Sequence, residues 1–126
     1  MCGRYALAAE ATELVEAFDV PLPDFDVRPR YNIAPGQQAP AVAEDRRGRR
    51  MGLLTWGLVP GWQDDPSAGL INARSESVSE KPSFREAFER RRCLVPADGF
   101  YEWKREGEEK VPYWIHLSGG GVISFA

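Results

Sequence analysis

The stretch CLVPADGFYEWKREGEEKVPYWIHL, residues 93–117, decides the class of fold. Its second half places Val111, Tyr113, Ile115 and Leu117 on one face of an extended chain and Trp114 and His116 on the other, the period of a strand. CLVPADGFYEW (93–103) reads as the strand before it, and the polar KREGEEK (104–110) as the turn between them. A further strand, GVISFA (121–126), follows the glycine-rich turn SGGG. Working outward toward the N-terminus, APAVAE (39–44) and MGLLTWGLV (51–59) read as two strands. The turn joining them carries Arg46, Arg47, Arg49 and Arg50, a solvated hairpin tip. ATELVEAFDV (11–20) puts Leu14, Val15 and Phe18 on one helical face, although Ala8 and Ala9 offer no side-chain cap. KPSFREAFERRR (81–92) predicts a second helix, with Ser83 and Glu86 spaced as a capping box and Phe84 and Phe88 sharing a face. Arg90, Arg91 and Arg92 close its last turn, where cations suit the helix dipole. PLPDFDVRPRYNIAPGQ (21–37) is proline-rich and reads as one long ordered loop. Strands outnumber helices, so the expected class is a β-rich α+β fold with two or three flanking helices.

Composition narrows the function less than the fold. The 126 residues, 43% hydrophobic and 28% charged, fit one globular domain, 1–126. No apolar run approaches the roughly 20 residues of a membrane span, and the start does not read as a signal peptide. Two distant cysteines and one histidine make neither a disulfide framework nor a zinc site. The expectation is therefore a cytoplasmic chain with no metal, no cofactor and no membrane partner. Net charge is −3, so any polyanion must be met by a local basic patch. Arginine supplies 13 of the 16 basic residues, and its planar fork suits phosphate contacts and base stacking better than lysine does.

Cys2 follows the initiator methionine, in MCGRYAL. A small residue there suits removal of Met1, which would leave an α-amine of pKa about 7.7–8.0 beside a thiol near about 8.5. A fraction of that amine is neutral at pH 7. It can condense with an aldehyde to an imine, and the adjacent thiol can then close a five-membered thiazolidine ring, favoured by proximity. The competing reading is an inert, buried cysteine at the start of a strand.

Four segments crowd polar and aromatic residues between glycines and prolines: RYNIAPGQ (30–37), WGLVPGW (56–62), INARSES (71–77) and CLVPADGFYEW (93–103). Asn72 and Arg74, two apart, point to the same side of an extended chain. Glu102 lies between Tyr101 and Trp103, a setting expected to half-bury its carboxylate and raise its pKa, as acid–base work requires.

These motifs, in this order and from MCGRY through YNIAPGQ, WGLVPGW, INARSES and RRCLVPADGFYEWK to PYWIHL, resemble the SRAP family, the SOS-response-associated peptidases that process abasic sites in DNA. The resemblance covers the chain from end to end. It implies a compact β-rich fold with a DNA-binding groove leading to a mature N-terminal cysteine. It also implies that this cysteine forms a thiazolidine with the ring-opened aldehyde of an abasic site in single-stranded DNA, shielding the lesion. By motif match, Cys2 corresponds to the nucleophile, Asn72 to a polar group at the lesion, and Glu102 to a carboxylate linked to Met1 removal and imine formation. Arg4 and Arg74 correspond to DNA contacts, Trp62 to an aromatic that meets the DNA, and Pro35 and Gly36 to a loop shaping the groove. Trp56 and Cys93 read as core. The family's histidine, in a segment resembling HDRMP, has no counterpart here, and His116 in YWIHL does not match it. The chain is accordingly expected to be incomplete at its C-terminus, leaving its last strand short of neighbours, and to act as a monomer.

Two other readings stay open from the residues. One is a non-covalent binder of single-stranded or modified-base DNA, with Cys2 inert. The other is an amidohydrolase whose N-terminal cysteine attacks an amide, its own α-amine serving as base.

Overall fold

The structure is a computed structural model and describes residues 2–65, 67 and 69–126. The expectation that Met1 is removed concerns a residue outside these. A three-residue strand organises the fold. β1 (Tyr5–Leu7) is buried along its whole length and paired on both edges. On one side lies β2 (Arg30–Ile33), antiparallel, with Tyr5 opposite Ile33 and Leu7 opposite Arg30 across an irregular register. On the other lies β6 (Gly99–Glu106), with Tyr5 opposite Phe100 and Ala6 opposite Gly99. β7 (Glu109–His116) pairs with β6 along its full length and completes a four-stranded antiparallel sheet in the order β2-β1-β6-β7.

β3 (Gln38–Asp45) and β4 (Gly48–Thr55) form a regular hairpin, Gln38 opposite Thr55 through Asp45 opposite Gly48. Both faces of the hairpin are covered: Ala39 and Ala41 are buried on one, Val42 and its partner Met51 on the other. Its tip is solvated, as expected, and two of its four arginines have partners: Arg50 meets Asp45 at 2.6 Å, and Arg49 meets Glu44 at 3.4 Å and the Phe18 carbonyl at 3.1 Å. β5 (Val95–Ala97) pairs with β8 (Ile123–Phe125), and Val42 bridges Leu94 to join this pair to the hairpin.

Helix α1 (Ala11–Phe18) buries Leu14 completely in the common core with Tyr5, Leu7, Ile33 and Val42. Glu10 starts it with no side-chain cap, consistent with the sequence around Ala8 and Ala9. Helix α2 (Pro82–Arg90) has no fully buried residue.

Four sequence expectations change. Residues 21–37 are not one loop: Arg30–Ile33 becomes β2, because β1 offers it an edge and Ile33 gains complete burial. The strand expected over 93–103 breaks at Asp98, whose carboxylate accepts the Ala8 N–H at 2.5 Å while its own N–H donates to the Ala6 carbonyl at 2.9 Å. The run therefore serves two sheets. The capping box of α2 does not form, since the helix starts two residues early, at Pro82 with Lys81 in the cap position, and Glu86 is taken by Arg91 at 2.5 Å. The last strand keeps an open edge, as expected, since β8 pairs with β5 alone among the described residues, but its apolar face is covered. Phe125 packs edge-on between Tyr5 and Phe100, at 5.7 Å from each ring.

Gly99 fixes how closely β6 and β7 approach. A β-carbon there would lie 2.5 Å from the Ile115 carbonyl oxygen and 2.6 Å from the Trp114 ring. Gly99→Ala is expected to cost about 2 kcal/mol or more through overpacking. Gly52→Ala, where nothing lies within 4 Å, should be neutral or slightly stabilising. Denaturant midpoints of the two variants check the contrast; equal midpoints would refute it.

Candidate functional site

Cys2, Gly3 and Arg4 lead into β1, so the buried strand fixes where they emerge. The Arg4 carbonyl accepts the Tyr101 N–H at 3.0 Å and the Cys2 thiol at 3.2 Å. The Arg4 guanidinium donates to the Asn32 Oδ1 at 2.8 Å, which fixes its direction beside β2. Asn72, 70 residues away in sequence, donates its side-chain amide to the Cys2 carbonyl at 2.7 Å. Cys2 itself is half-buried against the core.

Asn72 reaches Cys2 because three features seat the segment before it. The Trp56 indole N–H donates to the Ile71 carbonyl at 2.7 Å. Leu58 and Leu70 exchange backbone hydrogen bonds at 2.9 Å each. Gly57 lies so close to Gly69 that a β-carbon on Gly69 would sit 3.1 Å from the Gly57 Cα. Trp56 also packs on Tyr5, ring centroids 5.4 Å apart. It is half-buried at the core's margin, and the core reading holds for its ring but misses its polar edge.

Burial pushes the Cys2 thiol above the ordinary thiol range, and the negative charge of Glu102 adds to this. Glu102 is half-buried, as its setting between two aromatic residues led us to expect. Burial likewise pushes the Tyr5 hydroxyl up to about 12, so it stays protonated beside this cluster. Desolvation disfavours the charged form in both cases.

Two open concavities flank the cluster. One, of about 620 Å³, is lined by Gly3, Arg4, Tyr31, Asn32, Tyr101 and Trp103. Strand alternation separates Tyr101 and Trp103 from Glu102, so this hollow opens on the sheet face opposite the carboxylate. The Tyr101 hydroxyl donates to the Tyr31 carbonyl at 3.2 Å, and its ring packs on Trp114 at 4.8 Å. The other, of about 690 Å³, is lined by Ala73, Arg74, Ser75, Glu76 and Ser77, and begins one residue after Asn72. Cys2 is thus joined to one arginine-bearing hollow through Gly3 and to the other through Asn72.

The structure brings Cys2, Asn72 and Glu102 together, with Arg4 two residues from the thiol. Arg74 is exposed in the second hollow, and Trp62 stands 63% exposed on a turn, lining neither. Gly36, at φ 81°, donates to the Trp56 carbonyl at 2.8 Å, so it closes the loop before β3 rather than facing either hollow. Cys93 is half-buried and precedes β5. His116 stacks on Trp114 at 6.1 Å, away from the Cys2 cluster. Tyr31, Asn32, Tyr101 and Trp103 were not singled out by sequence. The crowding of RYNIAPGQ and GFYEW was the available signal, but only strand pairing reveals that the two segments meet. Among the described residues no group of histidine, cysteine and carboxylate side chains is arranged to hold a metal, and no helix is long and apolar enough to cross a membrane.

A family model described as SOS response associated peptidase (SRAP) matches residues 1–126. The chain belongs to the SRAP family. Among curated SRAP relatives, it is 43% identical over 131 aligned residues to the abasic site processing protein YoqW of Bacillus subtilis, and 35% identical to YedK of Escherichia coli, also described as an abasic site processing protein. Each alignment covers all of this chain and 58% of the relative, so the chain spans a little over half the length of these proteins. Among solved structures, a protein of Bacteroides thetaiotaomicron superimposes with a TM-score of 0.84 at 26% identity, over 98% of this chain and 57% of that one. The β-rich SRAP-like fold expected from the motifs is the observed one.

The electrostatics of this SRAP site make a directional prediction. Alkylation of Cys2 by iodoacetamide, followed by peptide mass to separate it from Cys93, should rise with pH through an inflection above that of a free cysteine peptide. Compared with wild type bearing the same N-terminal residue, checked by intact mass, Glu102→Gln removes a negative charge that opposes the thiolate, so the inflection should move down. No movement, or an upward one, would contradict the placement of Glu102 beside the thiol.

Proposed function

We propose that this chain binds single-stranded DNA and captures the ring-opened aldehyde of an abasic site on Cys2 as a thiazolidine. The observation that carries the reading is the seating of Cys2: its carbonyl is held by Asn72, its thiol is half-buried near Glu102, and an arginine-bearing hollow lies to either side. The description of YoqW and YedK as abasic site processing proteins supports it.

The chemistry begins with hydrolysis of the Met1–Cys2 peptide bond, in which water adds and methionine leaves, exposing the Cys2 amine. We assign this to the chain itself, with Glu102 moving the proton. The neutral amine attacks the aldehyde carbon, water leaves, and an imine forms. The thiol then adds across the C=N bond: sulfur bonds to carbon and the thiol proton passes to nitrogen, leaving a five-membered ring and no charged product. A thiol held protonated suits this order, because the amine acts first and the S–H arrives intact for ring closure. Asn72 orients the residue by its carbonyl, Arg4 and Arg74 meet phosphates, and Trp62 offers a stacking face, worth about 1–3 kcal/mol per base. The same imine gives a route to strand scission by β-elimination when the ring cannot close. In the cell such a protein would work in the cytoplasm on exposed single strands and protect the lesion during the DNA damage response.

Two measurements test this. Mixed with an abasic single-stranded oligonucleotide and denatured, the wild-type chain should run as a covalent adduct whose mass equals the sum of the processed chain and DNA less one water. Cys2→Ser should abolish the stable adduct and show nicked strand instead, whereas Cys93→Ser should leave it intact. An adduct that survives Cys2→Ser undiminished, or a folded chain that retains Met1 throughout, overturns the aminothiol mechanism and leaves non-covalent binding.

Affinity for an intact single strand should fall with salt, with a log–log slope of about −0.7 per phosphate contact. Arg74→Ala should flatten that slope by about one contact. Trp62→Ala should weaken binding with the slope unchanged. Salt-independent binding would remove the arginines from the interface.

A further inference from the structure

We infer that Trp56 is a positioning residue for Cys2, acting through Asn72 by way of its indole N–H. The path is short and each link is a directed contact. The indole N–H holds the Ile71 carbonyl at 2.7 Å, and the next residue, Asn72, holds the Cys2 carbonyl at 2.7 Å. The indole ring is itself braced, packed 5.4 Å from the Tyr5 ring in the central strand that launches Cys2. The two ends of the path therefore meet at β1 and the segment leading into it: Tyr5 fixes Trp56, and Trp56 fixes the group that returns to Cys2. Elsewhere in the segment the tie is backbone to backbone, through Leu58 and Leu70. That bridge stops at Leu70, so the indole contact is what carries order over the remaining two residues to Asn72. Phenylalanine at 56 would preserve the ring packing and lose only the donor, which separates positioning from bulk.

The consequence reaches the thiol before any DNA is bound. Releasing Ile71 lets the Asn72 amide leave the Cys2 carbonyl, and the N-terminal segment then loosens from its half-buried seat. For cross-linking, which rests on the aminothiol reading above, the same release spreads the amine over orientations that do not face the aldehyde.

The test is a double-mutant cycle on the full chain with Trp56→Phe and Asn72→Ala, read in two ways. The first readout needs no DNA. Alkylation of Cys2 by iodoacetamide at pH 8 should be about threefold to tenfold faster in Trp56→Phe than in wild type, equally faster in Asn72→Ala, and no faster still in the double variant. Gly48→Ala, which strains the φ 103° position at the far tip of the β3–β4 hairpin, should lower thermal stability without changing the alkylation rate; this shows that general loosening is not the cause. The second readout is the rate of adduct formation with abasic single-stranded DNA, where Trp56→Phe should slow the reaction several-fold with unchanged affinity for intact DNA, and add nothing on top of Asn72→Ala. Multiplicative effects in the cycle, or an alkylation rate in Trp56→Phe equal to wild type, would overturn the positioning role. A wild-type chain that forms no adduct while the alkylation cycle behaves as stated would refute the DNA reading and leave the positioning role standing.

Discussion

Everything in this molecule hangs on the pairing of a three-residue strand, Tyr5–Leu7, along both of its edges. A segment this short has little intrinsic preference for extended structure, and it holds its form because both edges are filled and every side chain is buried. Its partners come from distant parts of the chain, residues 30–33 and 99–100, so the strand closes two long loops at once. The cost of loop closure grows only slowly with length, whereas complete burial of Leu7 and Ile33 yields a few kcal/mol each. The return on this arrangement is positional. A side chain next to a chain terminus would ordinarily sample many orientations, and here only Gly3 and Arg4 separate Cys2 from the buried strand.

The same strand explains why the core and the site cannot be separated. Tyr5 touches Trp56 and Phe125, so the ring cluster joins the end of the hairpin and the last strand to the residue that follows Arg4. Asp98 adds a polar counterpart. It ends β5, accepts the N–H of Ala8 where the chain leaves β1, and lets β6 begin one residue later in a different sheet.

The sequence made visible those parts whose periodicity is local. Both faces of β7, the β3–β4 hairpin and the apolar stripe of α1 depend on neighbours a few residues apart and were legible, although β4 runs Gly48–Thr55 rather than over 51–59 and takes in Arg49 and Arg50. β2 was illegible because Pro29 and Pro35 flank it and its reason to be extended lies in β1. The break at Asp98 was hidden for the same reason, its partner being Ala8. Ser83 and Glu86 show the reverse failure, a good local pattern displaced when Pro82 took the first helical position. At the site, Cys2, Asn72 and Glu102 were readable through ordered motifs, and the structure draws them together. The aromatic lining of the first hollow was not readable, since Tyr31 and Tyr101 meet across 70 residues. Arg74 and Trp62, expected by motif match to contact DNA, are exposed, and Trp62 lines neither hollow.

A half-buried thiol facing a carboxylate has one more property. Oxidants such as hydrogen peroxide attack the thiolate, and a cysteine kept protonated presents little of it. The conditions that damage DNA bases often generate peroxide as well. A thiol with the opposite tuning, activated and exposed, would be spent as sulfenic acid in that setting. The burial that seats Cys2 therefore also lowers its exposure to such oxidants.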